Sequence, residues 1–326
     1  MKGYILTGNI SPALHLTELP APEPGEEQVR VDIKAVSLNY RDLLVAEQTQ
    51  GDIPLSDGAG VISAVGSKVT GLKVGDRVVI GFMPGWAEGE FSAEKQASSL
   101  GGPGVNGVLT EQVRVPASGV TLIPDSMSFE QAATLPCAGV TAWSALFERR
   151  PLQPGETVLL LCTGGVSVFA LQLAKLAGAR VIITSSSDEK LQRAKALGAD
   201  YTINYKTNPA WADEVLSLTN GTGADLTVDV AGPQTLNDSL KATRFGGRIS
   251  LMGVLTGFRG PIDTLSVLEK RITLQGIYVG PVSTLSSLVR TGIEPYIDQV
   301  FDFCEAESAY TTLREKSHFG KLVIRI

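Results

Sequence analysis

One stretch could do chemistry through its backbone. Residues 157–175, TVLLLCTGGVSVFALQLAK, read as a hydrophobic strand, a glycine turn and a helix with apolar residues at helical spacing. At such a turn the N–H groups of the first helical residues point at whatever sits above them. Together with the helix dipole they favour a pyrophosphate. Against the pattern G-x-G-x-x-G only Gly164 is kept: Cys162 takes the first glycine position and Ser167 the third, while Gly165 adds a neighbour. Thr163, Gly164, Gly165 and Val166 are the residues this reading sets against a dinucleotide. The plainer alternative is a strand–helix turn that needs a positive φ at a glycine.

The next strand carries a second signal. About twenty residues past the glycine turn, a dinucleotide unit selective for NAD holds the ribose 2′-OH with Asp or Glu. Here the run is Thr184-Ser185-Ser186-Ser187-Asp188-Glu189-Lys190. Hydroxyls at Ser185 and Ser186 with a cation at Lys190 suit a 2′-phosphate, which points to NADPH. The competing reading is that Ser187-Asp188 caps the following helix and that Lys190 is solvated.

These residues need elements to hold them. Residues 1 to about 123 contain short β-rich runs separated by Gly/Pro turns, the pattern of a compact β domain. Within it, 83–107 is Gly-rich and aperiodic, and a loop that long inside a compact domain tends to be functional or mobile. From about residue 124 apolar strands alternate with amphipathic helices, the signature of a parallel sheet covered on both faces. The last segment returns to strand–helix–strand. The fold class expected is therefore α/β: a small β domain made of 1–123 and 294–326, and a doubly wound parallel-sheet domain made of 124–293.

Composition agrees. The chain has 326 residues, 43% hydrophobic and 19% charged, with a net charge of −6. Nothing basic points to nucleic acid or to an anionic membrane surface. No signal peptide and no membrane-length apolar run are visible. The 3 cysteines, Cys137, Cys162 and Cys304, are too few and scattered for a disulfide framework, which fits a cytoplasmic protein.

The combination of VSLNYRDLL (36–44), PLSDGAGVISAVGSKVTGLKVGDRVV (54–79), LPCAGVTAWSAL (135–146), the glycine turn, SSSDEKLQRAKALGAD (185–200) and HFGKLVIRI (318–326) resembles the medium-chain dehydrogenase/reductase superfamily. The likeness is closest to its zinc-independent quinone oxidoreductase-like and alcohol dehydrogenase-like members. It runs in order along nearly the whole chain. It implies a GroES-like β domain, a Rossmann domain, and a cofactor and substrate that meet between them. Where zinc members carry Cys, His and Cys on the catalytic metal, this chain has Asn39, Ser56 and Cys137, and Asp57 matches the Glu that follows the ligand His. The four-cysteine structural-zinc lobe is missing. No metal is expected, and Cys137 reads as a small buried hydrophobe or a nucleophile.

By the same resemblance, Asn39, Tyr40 and Arg41 are the candidate catalytic donors, with Thr141 near the nicotinamide. Arg41 with Asp42 as a structural ion pair, and Tyr40 as packing, are the alternatives. Val230, Ala231 and Gly232 end the fourth Rossmann strand, Met252 and Gly253 the fifth, and Tyr278 and Val279 follow the sixth; their backbone groups would line the nicotinamide-ribose side. Tyr205 matches an aromatic near the adenosine phosphate, and Lys321 a residue beside the cofactor phosphates, with a solvated lysine as the alternative. Trp86 and Phe91, with Phe82, either cover an apolar acceptor pocket or pack on the surface.

With no Lewis acid expected, the acceptor must be polarised already, as quinones and α,β-unsaturated carbonyls are. A zinc-free alcohol or carbonyl oxidoreductase is the second reading, and a cofactor-bound protein with a non-catalytic role the third. The partners expected are an electrophilic small molecule and, through the edge strand 271–278, a second copy of the chain. No nucleic acid or membrane partner is expected.

Overall fold

The computed structural model describes residues 1–326, which fall into two compact units, Met1–Val140 with Val279–Ile326, and Thr141–Tyr278. The α/β class holds in both halves of the reading.

The second unit is a six-stranded sheet in the order Tyr201–Asn204, Arg180–Ser185, Thr157–Leu160, Ala224–Asp229, Thr243–Leu251, Thr273–Gly276, with every pairing parallel. That is the doubly wound order, reversing direction at the glycine-turn strand. Every residue of Thr157–Leu160 is buried, as a strand covered on both faces requires. The helix Gly165–Leu176 buries Val168, Phe169, Leu171 and Leu173. The strand Thr243–Leu251 begins earlier than its sequence suggests. TRFGG reads as the end of a helix, but the helix stops at Ala242 and the chain enters the sheet with a register shift opposite Ala224.

The first unit is built on a seven-stranded sheet. The central strand Gln28–Ser37 pairs antiparallel with Asp57–Val65 on one side and, on the other, with Gln112–Pro116 and then the C-terminal Lys321–Arg325. One register matters most: Ser37 stands opposite both Asp57 and Val323. The strand ends that carry Leu38–Asn39, Asp57 and Lys321 therefore converge.

The two compact units divide at 140/141 and 278/279. The helix Phe129–Ala133, opened by a Ser128–Gln131 capping box, packs Ala132 and Ala133 on the first unit's sheet. The helix Val282–Arg290 turns Leu285 and Leu288 inward, and its Ser286 hydroxyl bonds Thr121 at 2.8 Å. Amphipathic periodicity shows that a helix has an apolar face. It does not show which sheet that face meets.

The glycine turn has an unexpected geometry. Gly164 has φ −81°, so it needs no left-handed backbone. Cys162 does, at φ +64°. The strained turn is held by Cys162 N–H donating to Thr184 Oγ1 at 3.3 Å and Ser167 Oγ donating to Leu161 O at 2.6 Å. A Cβ in the left-handed region costs roughly 1–2 kcal/mol, against roughly 0.5–1 kcal/mol for glycine's extra chain entropy. Cys162→Gly is therefore expected to raise stability by roughly 0.5–1 kcal/mol, read from the denaturant midpoint. A destabilised variant would show that the thiol's packing outweighs the backbone strain.

Candidate active site

The residues that the resemblance matches to zinc ligands, Asn39, Ser56 and Cys137, surround an internal ion pair. Lys321 is 2% exposed. Its ammonium donates to Leu38 O at 2.5 Å and to Asn39 Oδ1 at 2.6 Å, and it stands 4.0 Å from Asp57 Oδ2. Asp57 is fully buried and accepts from Ser56 Oγ at 2.7 Å and from the Cys137 N–H at 3.2 Å. A π-helical turn, Leu135–Gly139, aims that N–H. Burial pushes the Asp57 carboxyl up, against the opposing pull of Lys321, Asn39 and Ser56. Burial, with Asp57 adding to it, raises the Cys137 thiol far above its ordinary range.

This donor set does not fit zinc. The metal needs several thiolates, imidazoles or carboxylates. Here a single thiol stands with an amide and a hydroxyl, Asn39 Oδ1 is taken by an ammonium, and the Ser56 hydroxyl donates to Asp57. No group of three His, Cys, Asp or Glu side chains comes together anywhere in the chain. Lys321 is neither solvated nor presented on the surface for a phosphate: its ammonium is an internal counter-ion.

Asn39 opens the helix Tyr40–Ala46, and its N–H donates to Asp42 Oδ2 at 2.7 Å. Asp42 is buried, which raises its carboxyl to about 6 despite Arg41. Arg41 lies 3.7 Å from Asp42, donates to Leu100 O at 2.9 Å and stacks on Phe82 at 4.8 Å. The ion-pair reading of Arg41 is thus the one the geometry favours, and its donors fasten the 83–107 segment. Tyr40 is half-buried, with the Lys316 ammonium 5.6 Å from its ring. The Asn39 amide helps to hold the Asp57 charge, although its Nδ2 completes no hydrogen bond.

In the second unit the predicted cofactor residues gather at the C-terminal ends of adjacent parallel strands. Thr163–Val166 follow Thr157–Leu160, Ser185 and Ser186 end Arg180–Ser185, Ala231 and Gly232 follow Ala224–Asp229, and Gly253 follows Thr243–Leu251. A dinucleotide fits this edge on two observations. The helix Gly165–Leu176 has no side chain capping its first N–H groups. A Cβ added at Gly164 would meet nothing within 4 Å, so the backbone there is open to close approach. Thr141 is buried at 6% exposure near the start of the helix Val140–Phe147. Tyr278 is exposed and ends the second unit. Val279 opens the return to the first with φ +55°.

The specificity segment divides its labour. Ser187 does cap the helix Asp188–Ala196, accepting from the Lys190 N–H. Ser185 is buried, its hydroxyl 3.2 Å from Thr163 Oγ1. Ser186 and Lys190 are half-buried, and Tyr205, tied by its N–H to Ser185 O at 3.0 Å, is more exposed. Asp188 is engaged by Asn204 Nδ2 at 2.7 Å.

Asp229 escaped the reading of the sequence. It is fully buried and accepts from the N–H groups of Ala231 (3.0 Å) and Gly232 (2.8 Å) and from the hydroxyls of Thr235 (3.0 Å) and Ser239 (2.8 Å). Burial raises its carboxyl against those donors. It shapes the turn that presents Ala231 and Gly232. The signal was an aspartate inside DLTVDVAG, a charge at the end of an apolar strand.

Comparison with known proteins follows the same outline. The alcohol dehydrogenase GroES-like domain family matches residues 25–125, and the zinc-binding dehydrogenase family matches 165–293. A zinc-type alcohol dehydrogenase-like protein of Schizosaccharomyces pombe is 42% identical over 323 residues, covering 93% of this chain and 91% of the relative. A solved NAD-dependent alcohol dehydrogenase superposes with TM-score 0.90 at 35% identity, covering 100% of both chains. The quinone oxidoreductase of Pseudomonas syringae superposes with TM-score 0.83 at 27% identity, covering 100% of this chain and 99% of that one. The chain belongs to the medium-chain dehydrogenase/reductase superfamily, a family of nicotinamide-dependent oxidoreductases.

Proposed function

We propose that this protein is a metal-independent, NADPH-dependent reductase of quinones or α,β-unsaturated carbonyls. The observation that carries this reading is the buried Lys321–Asp57 pair with Asn39, Ser56 and Cys137, the residues that the resemblance sets at the metal position of zinc relatives. A bound nicotinamide, when reduced, supplies a hydride. Without a Lewis acid the substrate must bring its own electron deficiency. The chain's part is to hold that acceptor and to meet the negative charge its oxygen gains. Asn39 and Tyr40 are the donors assigned to that charge. A proton from water or from Tyr40 completes the reduction, so two electrons and two hydrogens are added in all. Positioning of this kind is worth about 7–11 kcal/mol of barrier.

The 2′-phosphate preference rests on the absence of an acid at Ser185 and Ser186, and on Lys190 being half-buried one helical turn away. Because Ser185 is buried, Ser186, Lys190 and Tyr205 are the groups assigned to the phosphate. We also assign a homodimer through the outer strand Thr273–Gly276. Its far edge has no partner in the sheet, while Leu265 and Leu268 on the preceding helix are exposed.

Three outcomes test this. In a panel of acceptors oxidising NADPH, a quinone and an enone should turn over faster than a simple aldehyde. Oxidation of plain alcohols with NADP⁺ outrunning both would instead support an alcohol dehydrogenase. In fluorescence titration NADPH should bind more tightly than NADH, and Lys190→Ala should cost NADPH roughly tenfold to a hundredfold, the worth of one charge-assisted bond. Equal affinities in the parent protein would sink the NADPH assignment. Light scattering should give twice the 34.4 kDa chain mass, and a monomer mass would remove the dimer.

A further inference from the structure

The helix Val282–Arg290 starts without a side-chain cap. Its first N–H groups still need acceptors. They find them in the aperiodic 83–107 segment: Val282 N–H donates to Trp86 O at 2.9 Å, and Ser283 N–H to Ala87 O at 3.0 Å. Just ahead of this start lies Val279, a β-branched residue at φ +55°. Such a conformation persists only where the surroundings over-determine it.

The carbonyls that cap the helix belong to a small lobe closed on itself. Trp86 is 5% exposed, and its Nε1 donates to Gly89 O at 2.8 Å. Phe91 packs on it at 5.0 Å. Lys95, on the short helix Ala93–Ala97, donates its ammonium to Glu88 O at 3.0 Å and to Glu90 O, and lies 5.9 Å from the Trp86 ring centre. One cation thus gathers two turn carbonyls and an aromatic face.

We propose that Lys95 is a positioning residue: by clasping the lobe it holds the Trp86 and Ala87 carbonyls on the first turn of the helix Val282–Arg290, and thereby sets the backbone of Val279–Pro281. This rests on the reading above that Tyr278 and Val279 lie beside the nicotinamide. Lys95 touches neither cofactor nor substrate in this scheme. It acts through the chain Lys95, Glu88 and Glu90 carbonyls, Trp86–Ala87, Val282–Ser283.

The test compares the full-length protein with Lys95→Met and Lys95→Arg. Hydrogen exchange is followed over the segment 279–290, alongside NADPH affinity by fluorescence and the thermal midpoint. Lys95→Met should speed exchange at Val282 and Ser283 and weaken NADPH by about fivefold or more, with little change in thermal midpoint. Lys95→Arg keeps a charge and several donors, and should recover most of both. Unchanged exchange in Lys95→Met overturns the clasp. Faster exchange with unchanged NADPH affinity overturns its role in positioning. If the parent protein binds no nicotinamide nucleotide, the proposed function falls, and the exchange data still decide whether the clasp exists.

Discussion

A buried ammonium organises the first unit. Ser37 pairs with Asp57 on one side and Val323 on the other, and that register delivers Lys321 to Leu38, Asn39 and Asp57. A charge taken out of water is expensive unless it is paired and fully hydrogen-bonded. Asp57 and Lys321 are each nearly inaccessible, so each requires the other. The neighbours complete the set: Ser56 and the Cys137 N–H satisfy the carboxylate, and the Asn39 amide takes the ammonium. Beside the residues that the resemblance matches to zinc ligands, the chain places a cation of its own.

That arrangement shapes the chemistry left over. A metal can polarise a weak electrophile. An ammonium spent on a carbonyl, an amide and a carboxylate cannot do so directly. In the function proposed above, the burden falls on the acceptor's own polarisation, with Asn39 and Tyr40 as the donors assigned to it. Arg41 binds Leu100 O, stacks on Phe82 and pairs with Asp42.

The dinucleotide edge works through backbone geometry more than through residue identity. Gly164 is needed for open space, not for a positive φ. The left-handed residue is Cys162, at the position where the usual pattern places its first glycine, and the Thr184 hydroxyl helps to hold it there. Asp229 does the corresponding work at the fourth strand, since four donors converge on one buried carboxylate and fix the turn beyond it. A motif written in glycines therefore understates what can build the same cradle.

Much was decided by the sequence alone. The change from short β runs to alternating strands and helices marked two kinds of architecture, because the two periodicities record which faces are buried. TVLLLCTGGVSVFALQLAK placed the glycine turn, and the Ser-rich strand end placed the specificity segment. Asn39, Ser56 and Cys137 already argued against the usual metal site. The tertiary structure decided the rest. Lys321 lies 282 residues from Asn39, and only the strand register makes them neighbours. Ser185 reads in the sequence as a phosphate ligand, and only the fold shows it buried against Thr163. The helices 129–133 and 282–290 went to the first unit, because periodicity does not name the sheet a helix will meet. The 83–107 segment had no period to read, since it is held by side-chain-to-carbonyl bonds from Lys95 and Arg41, which leave no regular mark on a sequence.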